Sequence, residues 1–190
     1  IEAAPKRGKR YFLHFEGANY WTKAFLNGEP LGEHEGGFTP FAFEVTGRLK
    51  RGTNTIVVAV DSEHGAESVP AFYFDWMNYG GVTRPIHLVE APATFIRSFT
   101  LALDPSRPND LIGSVRLDGP AAAGALSTFS IPAIGWTHTT RTNDQGRASF
   151  RTKAPTLDRW SPAKPSLYEV KVEIDGDTLI DRVGFRTIAV

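Results

Sequence analysis

The 190-residue chain has no cysteine, which excludes a disulfide framework and every cysteine-based zinc site. It has no excess of either charge: 21 basic residues balance 21 acidic ones. That balance argues against nucleic acid or an anionic membrane as the partner, because both are recognised through a basic patch. No apolar run approaches the roughly 20 residues of a membrane-spanning helix. Ile1 to Arg10 is polar and basic with no apolar stretch behind it, so the pattern of a signal peptide is not seen. The five histidines show no His-x-x-x-His spacing, and no Gly-x-Ser-x-Gly elbow or Gly-x-x-x-x-Gly-Lys phosphate loop occurs. Neither a metal nor a cofactor is therefore expected.

Long helical patterns are also missing. The 18 glycines and 13 prolines divide the chain into short pieces, and those pieces read as strands. Candidates are Tyr11–Phe15, Lys23–Leu26, Phe41–Val45, Thr55–Val60, Pro85–Glu90, Phe95–Leu103, Leu111–Leu117, Leu126–Ile131, Arg147–Thr152, Tyr168–Ile174 and Thr178–Phe185. Short strands separated by turn signals predict β-sandwiches. Asn27-Gly28 and Asp175-Gly176 suit the positive φ angles of tight hairpins. Gly52-Thr-Asn54 marks a turn, and Thr46–Arg51 has room for one turn of helix. A boundary is expected at Glu90-Ala-Pro-Ala93, because proline cannot donate to a strand ladder. Two domains follow, residues 1–92 and 93–190. The second has the size of an immunoglobulin sandwich. The first, with five or six strands, is expected to be incomplete at its N-terminus.

The most informative segment runs from Phe72 to Leu88. Aromatic rings crowd around the single acid Asp75, then Gly80-Gly81, Arg84 and a strand-like run follow. It fits neither strand alternation nor helical periodicity. Ring faces, a carboxylate, an amide and a flexible backbone together suit a ligand with both polar and apolar faces, such as a sugar. An ordered loop whose rings cover the core is the competing explanation. His14 and His87 fall in strands and read as solvent-facing. The turn His34-Glu35-Gly36-Gly37 either is only a turn or lines a pocket, and Trp160 is expected to pack on the second sandwich.

In order, the blocks Leu13-His-Phe-Glu-Gly17, Ala24-Phe-Leu-Asn-Gly28, Leu31-Gly-Glu-His-Glu-Gly-Gly-Phe-Thr-Pro-Phe41 and Gly52-Thr-Asn-Thr-Ile-Val-Val-Ala-Val-Asp61 resemble glycoside hydrolase family 2. So do Asp75-Trp-Met-Asn-Tyr-Gly-Gly-Val-Thr-Arg-Pro-Ile-His-Leu88, Trp160-x-Pro-x-x-Pro-x-Leu-Tyr168 and Asp181-Arg-Val-Gly-Phe-Arg-Thr-Ile188. This is the group of β-galactosidases, β-glucuronidases and β-mannosidases. The resemblance implies an all-β chain: a jelly-roll-like, galactose-binding-like sandwich followed by an immunoglobulin-like one. It further implies a non-catalytic part of a retaining exo-β-glycosidase, whose two catalytic glutamates lie on a (β/α)₈ barrel that is not in these residues. The chain alone is then expected to be inactive and to hold no catalytic residue.

By the same resemblance, Asp75 reaches into the glycone pocket, with Trp76, Asn78 and Tyr79 as further substrate-binding residues. Arg84 is expected to be structural and paired with an acid. The implied partners are a β-glycoside, the barrel and further copies of the chain. A bacterial source is expected, with periplasmic or secreted and cytoplasmic placement both open. Two rivals stand beside this reading: a freestanding carbohydrate-binding module, and a structural or adhesive pair of sandwiches without a ligand.

Overall fold

The computed structural model describes residues 1–69 and 77–187. The chain divides into two compact units, Ile1–Ala91 and Pro92–Val190.

In the first unit two three-stranded antiparallel sheets share one core. One is ordered β10-β2-β6, from β2 (Lys9–Phe15), β6 (Phe41–Glu44) and β10 (Ile86–Pro92). The other is ordered β5-β4-β8, from β4 (Trp21–Leu26), β5 (Glu29–Glu35) and β8 (Ile56–Asp61). Alternation along β2 turns Tyr11, Leu13 and Phe15 inward, and alternation along β4 does the same for Thr22, Ala24 and Leu26. Val45 and Leu49 complete this core. Two short ladders sit at its margins. β1 (Glu2–Ala3) pairs with β7 (Gly52–Thr53), and β3 (Ala18–Asn19) pairs with β9 (Gly81–Val82).

This unit holds more strands than its sequence predicts. The strand β5 has only one strongly apolar side chain, Leu31, and no β-branched residue. It is an edge strand, so the sheet needs little from it but backbone bonds. The hairpin before it is the expected one: Asn27 (φ 53°) and Gly28 (φ 89°) both take positive φ. Asn54 is buried and fully bonded. Its amide donates to the Lys50 and Gly52 carbonyls at 2.8 and 2.9 Å, while its Oδ1 accepts from the Lys50 amide and from Asn27 Nδ2, each at 2.9 Å. One side chain thus replaces the ladder that the backbone loses at this turn. Thr46–Arg48 forms a turn and no helix.

In the second unit, β11 (Phe95–Asp104), β12 (Arg107–Asp118) and β15 (Arg147–Lys153) form a sheet ordered β11-β12-β15. The other sheet is ordered β14-β13-β16-β17. Its strands are β13 (Leu126–Ile131), β14 (Trp136–Arg141), β16 (Tyr168–Ile174) and β17 (Asp177–Val183). Seven strands in sheets of three and four are what an immunoglobulin-type sandwich requires. The strand β14 is absent from the sequence-based candidates, since Trp136-Thr-His-Thr-Thr-Arg141 has one large apolar residue. A single turn of 3₁₀ helix, Pro132–Ile134, leads into it.

Phe129, Ile131, Val170 and Val172 face Leu101, Leu111, Val115 and Leu117 across the core. Gly113 is required there: a Cβ on it would lie 2.2 Å from the Phe150 ring, which packs edge-on against Phe129 with centroids 4.9 Å apart. Trp160 packs on the sandwich as expected. Its amide donates to the Phe185 carbonyl at 2.9 Å, and Gly184 lies against its ring. At Asp175-Gly176 only the glycine takes positive φ, at 80°, so the predicted mirror-image turn is not the one used.

Phe129 is fully buried. Its replacement in Phe129→Ala is expected to cost about 3–5 kcal/mol, read as a lower urea midpoint for the second unit. In the first unit, Glu90 accepts from the Tyr11 hydroxyl at 2.8 Å and from Lys6 Nζ at 3.1 Å. These bonds, the Tyr11 one foremost, hold its carboxyl below the usual range, and the bond to Glu90 raises the Lys6 ammonium. A depressed carboxyl stabilises the fold above the unfolded value of about 4.3, and that contribution is lost as pH falls through the folded value. Glu90→Gln should therefore lower the Tm of the first unit at neutral pH, with the difference closing in acid. A difference that persists in acid would refute this account.

Candidate functional site

The short ladder of β3 and β9 builds a cleft at one margin of the first unit. Its volume is about 210 Å³, and it is lined by Asn19, Gly37, Phe38, Met77, Asn78, Tyr79, Thr83 and Arg84. Three chain segments meet here. The β3 strand brings Asn19, the turn after β5 brings Gly37 and Phe38, and the approach to β9 brings Met77 to Tyr79.

Asn19 holds the segments together. It is almost wholly buried, and its Nδ2 donates to the Tyr79 carbonyl at 2.9 Å. Its Oδ1 is buried and accepts no hydrogen bond among the described residues. Gly37 lies directly over this amide: a Cβ there would come within 2.1 Å of Oδ1. Gly80 is equally constrained, since its Cβ would sit 2.3 Å from that of Ser62. The Gly36-Gly37 and Gly80-Gly81 pairs thus allow close backbone approach. Thr83 and Arg84 are fixed by their amides, both donating to the Gly17 carbonyl at 3.2 Å.

Of the residues predicted from sequence, Asn78 and Tyr79 line this cleft. Asn78 donates from Nδ2 to His64 Nε2 at 2.7 Å, which leaves the ring proton of a neutral His64 on Nδ1. The His64 ring leans on Tyr20 with centroids 4.8 Å apart, and the Tyr20 hydroxyl donates to Glu35 Oε1 at 3.1 Å. Asn78 is thereby oriented through a chain that reaches back into β5. The Tyr79 ring is 72% exposed and free to meet a ligand. Asp75 and Trp76 lie outside the described residues.

The acid partner expected for Arg84 is not found among the described residues, and Arg84 is exposed at the cleft. Of the run His34 to Gly37, His34 and Glu35 continue β5 and are not part of a turn, while Gly37 lines the cleft. The His34 ring stacks on Phe41 with centroids 4.0 Å apart.

Asn19 and Thr83 were not singled out from sequence. Phe38 stands in the glycine- and ring-rich run Gly36–Phe41 that the sequence does mark out, although no binding role was read there, and it is half-exposed. Asn19 carried none, because its importance comes from burial against Tyr79, which is 60 residues away.

What the cleft offers is binding chemistry. Two exposed rings, an amide and a guanidinium surround it, and among the described residues none that lines it bears a carboxyl group. Such a surface can stack on an apolar sugar face and donate to hydroxyls or an anionic group.

Comparison with known proteins covers both units. Residues 1–95 match the model of the glycosyl hydrolase 2 galactose-binding domain-like family, and residues 100–186 match that of glycosyl hydrolases family 2. A putative β-glucuronidase of Formosa agariphila is 28% identical over 195 aligned residues, which take in 95% of this chain and 23% of that protein. A β-galactosidase of Thermoanaerobacter pseudethanolicus is 29% identical over 95% of this chain and 26% of its own length. The chain thus spans about a quarter of these relatives. The β-glucuronidase of Bifidobacterium dentium, solved with coumarin-3-O-glucuronide, shares the fold with a TM-score of 0.84 at 24% identity, over 99% of this chain and 38% of that one.

The Asn19 hub makes a specific demand. Asn19→Ala leaves the Tyr79 carbonyl without its donor and should cost about 1–3 kcal/mol. Gly37→Ala should cost a similar amount through overpacking against Asn19. Because both act on one contact, the double variant should be less destabilised than the sum of the two, a coupling that a double-mutant cycle in urea measures.

Proposed function

Because this chain belongs to glycosyl hydrolases family 2, we propose that it serves as the non-catalytic sugar-binding and immunoglobulin-like part of a retaining exo-β-glycosidase. In that reading the two sandwiches buttress a catalytic barrel lying outside these 190 residues. The first sandwich lends the glycone pocket one wall, built on the Met77–Tyr79 segment with Asp75 and Trp76 beside it. The observation that carries the reading is the pair of family matches, one to each unit, in a chain spanning a quarter of its relatives.

The chemistry supports a division of labour. Retaining hydrolysis needs two carboxyl groups about 5–5.5 Å apart across the scissile bond. The described residues of the cleft include no such pair, but they supply donors and rings that would hold a sugar from one side. A carboxylate at Asp75 would accept from two hydroxyls at once, in charge-assisted bonds. The barrel would supply nucleophile and acid. β-Galactosides and β-glucuronides are the substrate classes the relatives' names suggest, and the exposed Arg84 suits the acidic group of a glucuronide. Contacts between copies of the chain are part of the same proposal.

The exposed Phe38 and Tyr79 rings also favour a second reading, a module that binds carbohydrate unaided. Calorimetric titration of the chain with galactose and glucuronate separates the two. Millimolar or tighter binding that is lost in Tyr79→Ala would favour the independent module. For the proposed reading, nitrophenyl β-galactoside and β-glucuronide should release no nitrophenol above a protein-free blank. Release by the purified chain would overturn it.

A further inference from the structure

We propose that His64 sets which hydrogen-bonding group the cleft of the first unit presents to a ligand. Neutral His64 holds the Asn78 amide with its oxygen towards the cleft, where it accepts from the hydroxyls of a neutral sugar. Protonated His64 turns the amide over, so that its nitrogen faces the cleft and donates to the carboxylate of a uronic acid. The choice of sugar rests on the reading of the cleft as one wall of a glycone pocket. The turning of Asn78 does not.

The loop that follows β8 carries His64 to this place and is tied down on both sides of it. The Glu63 amide donates to Asp61 Oδ1 at 2.9 Å, and the buried Ser68 hydroxyl donates to the Gly65 carbonyl at 2.6 Å. Ser62 lies against Gly80, and the Val69 amide donates to the Tyr20 hydroxyl at 3.4 Å. The half-buried His64 ring leans on the Tyr20 ring and brings its Nε2 to 2.7 Å from Asn78 Nδ2. An amide nitrogen only donates, so Nε2 is the acceptor and the ring is neutral in this arrangement. Asn78 Oδ1 accepts no hydrogen bond among the described residues and is not buried. Since Asn78 lines the cleft, that oxygen is the group it offers there.

A tie between loops needs only an acceptor, and packing on Tyr20 needs only a ring. An imidazole supplies both and adds a change of charge between about pH 5 and 8. Once it takes a second proton, its Nε2–H points at the Asn78 nitrogen, donor against donor. Half a turn of the amide relieves this, because that terminal torsion is broad and roughly two-fold. Oδ1 then accepts from Nε2–H, and Nδ2 takes the place that Oδ1 held. The cleft exchanges an acceptor for N–H donors, with a positive charge behind them and Arg84 among the lining residues. A carboxyl group stays ionised over the same range, so a uronate gains where a neutral sugar loses. The charged groups around His64 are Asp61, Glu63 and Glu67 on either side of it in the chain, Glu35 behind Tyr20, and Arg84 in the cleft. Carboxylates and guanidinium groups do not ordinarily titrate between about pH 5 and 8. The imidazole of β5, His34, is stacked on Phe41.

The test is NMR of the isotope-labelled chain across the range from about pH 5 to 8. At the alkaline end His64 should carry its proton on Nδ1 and none on Nε2. On acidification the Asn78 side-chain amide signals should move together with the His64 ring signals. His64→Phe keeps a ring against Tyr20 and removes both nitrogens, so there the Asn78 signals should not respond to pH, although His34 is still present. In the wild type the affinity for glucuronate relative to galactose, followed on the same signals, should rise at least about tenfold from the alkaline to the acid end. In His64→Phe that ratio should stay constant. A proton on Nε2 at the alkaline end would overturn the proposal, as would Asn78 signals that do not follow His64 or that still follow pH in His64→Phe. A wild-type ratio that is the same at both ends would overturn it too. If the amide turns over and neither sugar moves the signals at either end, the control by His64 stands, and what fails is the sugar-holding reading of the cleft for this chain by itself.

Discussion

The first unit depends on the stacking of Phe15 on Phe41. These residues are direct cross-strand partners on β2 and β6, and their rings lie 4.6 Å apart and nearly parallel. Phe43 closes edge-on against both. The cluster does more than fill space between two sheets. His34 of β5 stacks on the other face of Phe41, and Gly32 of β5 accepts the Phe43 ring where a Cβ would stand 2.7 Å from it. The second sheet is thus fixed to the first through its edge strand. The turn that leaves this strand carries Gly37 and Phe38, so the cleft inherits its geometry from three aromatic rings that lie outside it. Aromatic pairs contribute about 0.5–1.5 kcal/mol each beyond their buried area, which is ample to hold a turn in register.

How far this was legible in the sequence follows from the range of each interaction. The strands β2, β4, β8 and β16 were readable because burial of one face imposes alternation on their side chains. Asn27-Gly28 was readable because only a few residues adopt that backbone. The strands β5 and β14 were not, since each has a single large apolar side chain, Leu31 and Trp136, and so shows no alternation. The two-residue ladders of β3 and β9 lay below any periodic signal. At the site, the ring- and glycine-rich composition around Asn78 and Tyr79 was visible in one dimension. Asn19 and the exposed state of Arg84 were not, because both are consequences of which distant backbone comes to lie beside them.

The described residues of the cleft bring rings, an amide and a guanidinium to one sandwich margin and no carboxyl group, a set that can hold a ligand with polar and apolar faces. Part of it is pinned before any ligand arrives: the Asn78 side chain through His64 and Tyr20 to Glu35, and the backbone at Thr83 and Arg84 through the Gly17 carbonyl. Holding these groups in advance lowers the ordering that binding would otherwise cost.

Charge in the second unit shows how a formal net charge of +0 is laid out on a sheet. Asp104 and Asp110 sit in the sheet with almost no exposed side-chain surface. The Asp104 carboxyl is held below its usual range, first by the Ser106 amide and then by Arg151. A buried carboxylate left alone would be costly, so Arg151 and Lys153 are fixed by these acids, although each is itself largely exposed. These two acids are therefore committed to particular cations. At the other end of the sheet Arg116 and Arg147, opposite each other on β12 and β15, share a cleft with Asp118 and Asp144. The balance of charge across 190 residues is thus met locally as well, because carboxylates stand beside the cations of the sheet and the long arginine and lysine side chains need not leave the surface to reach them.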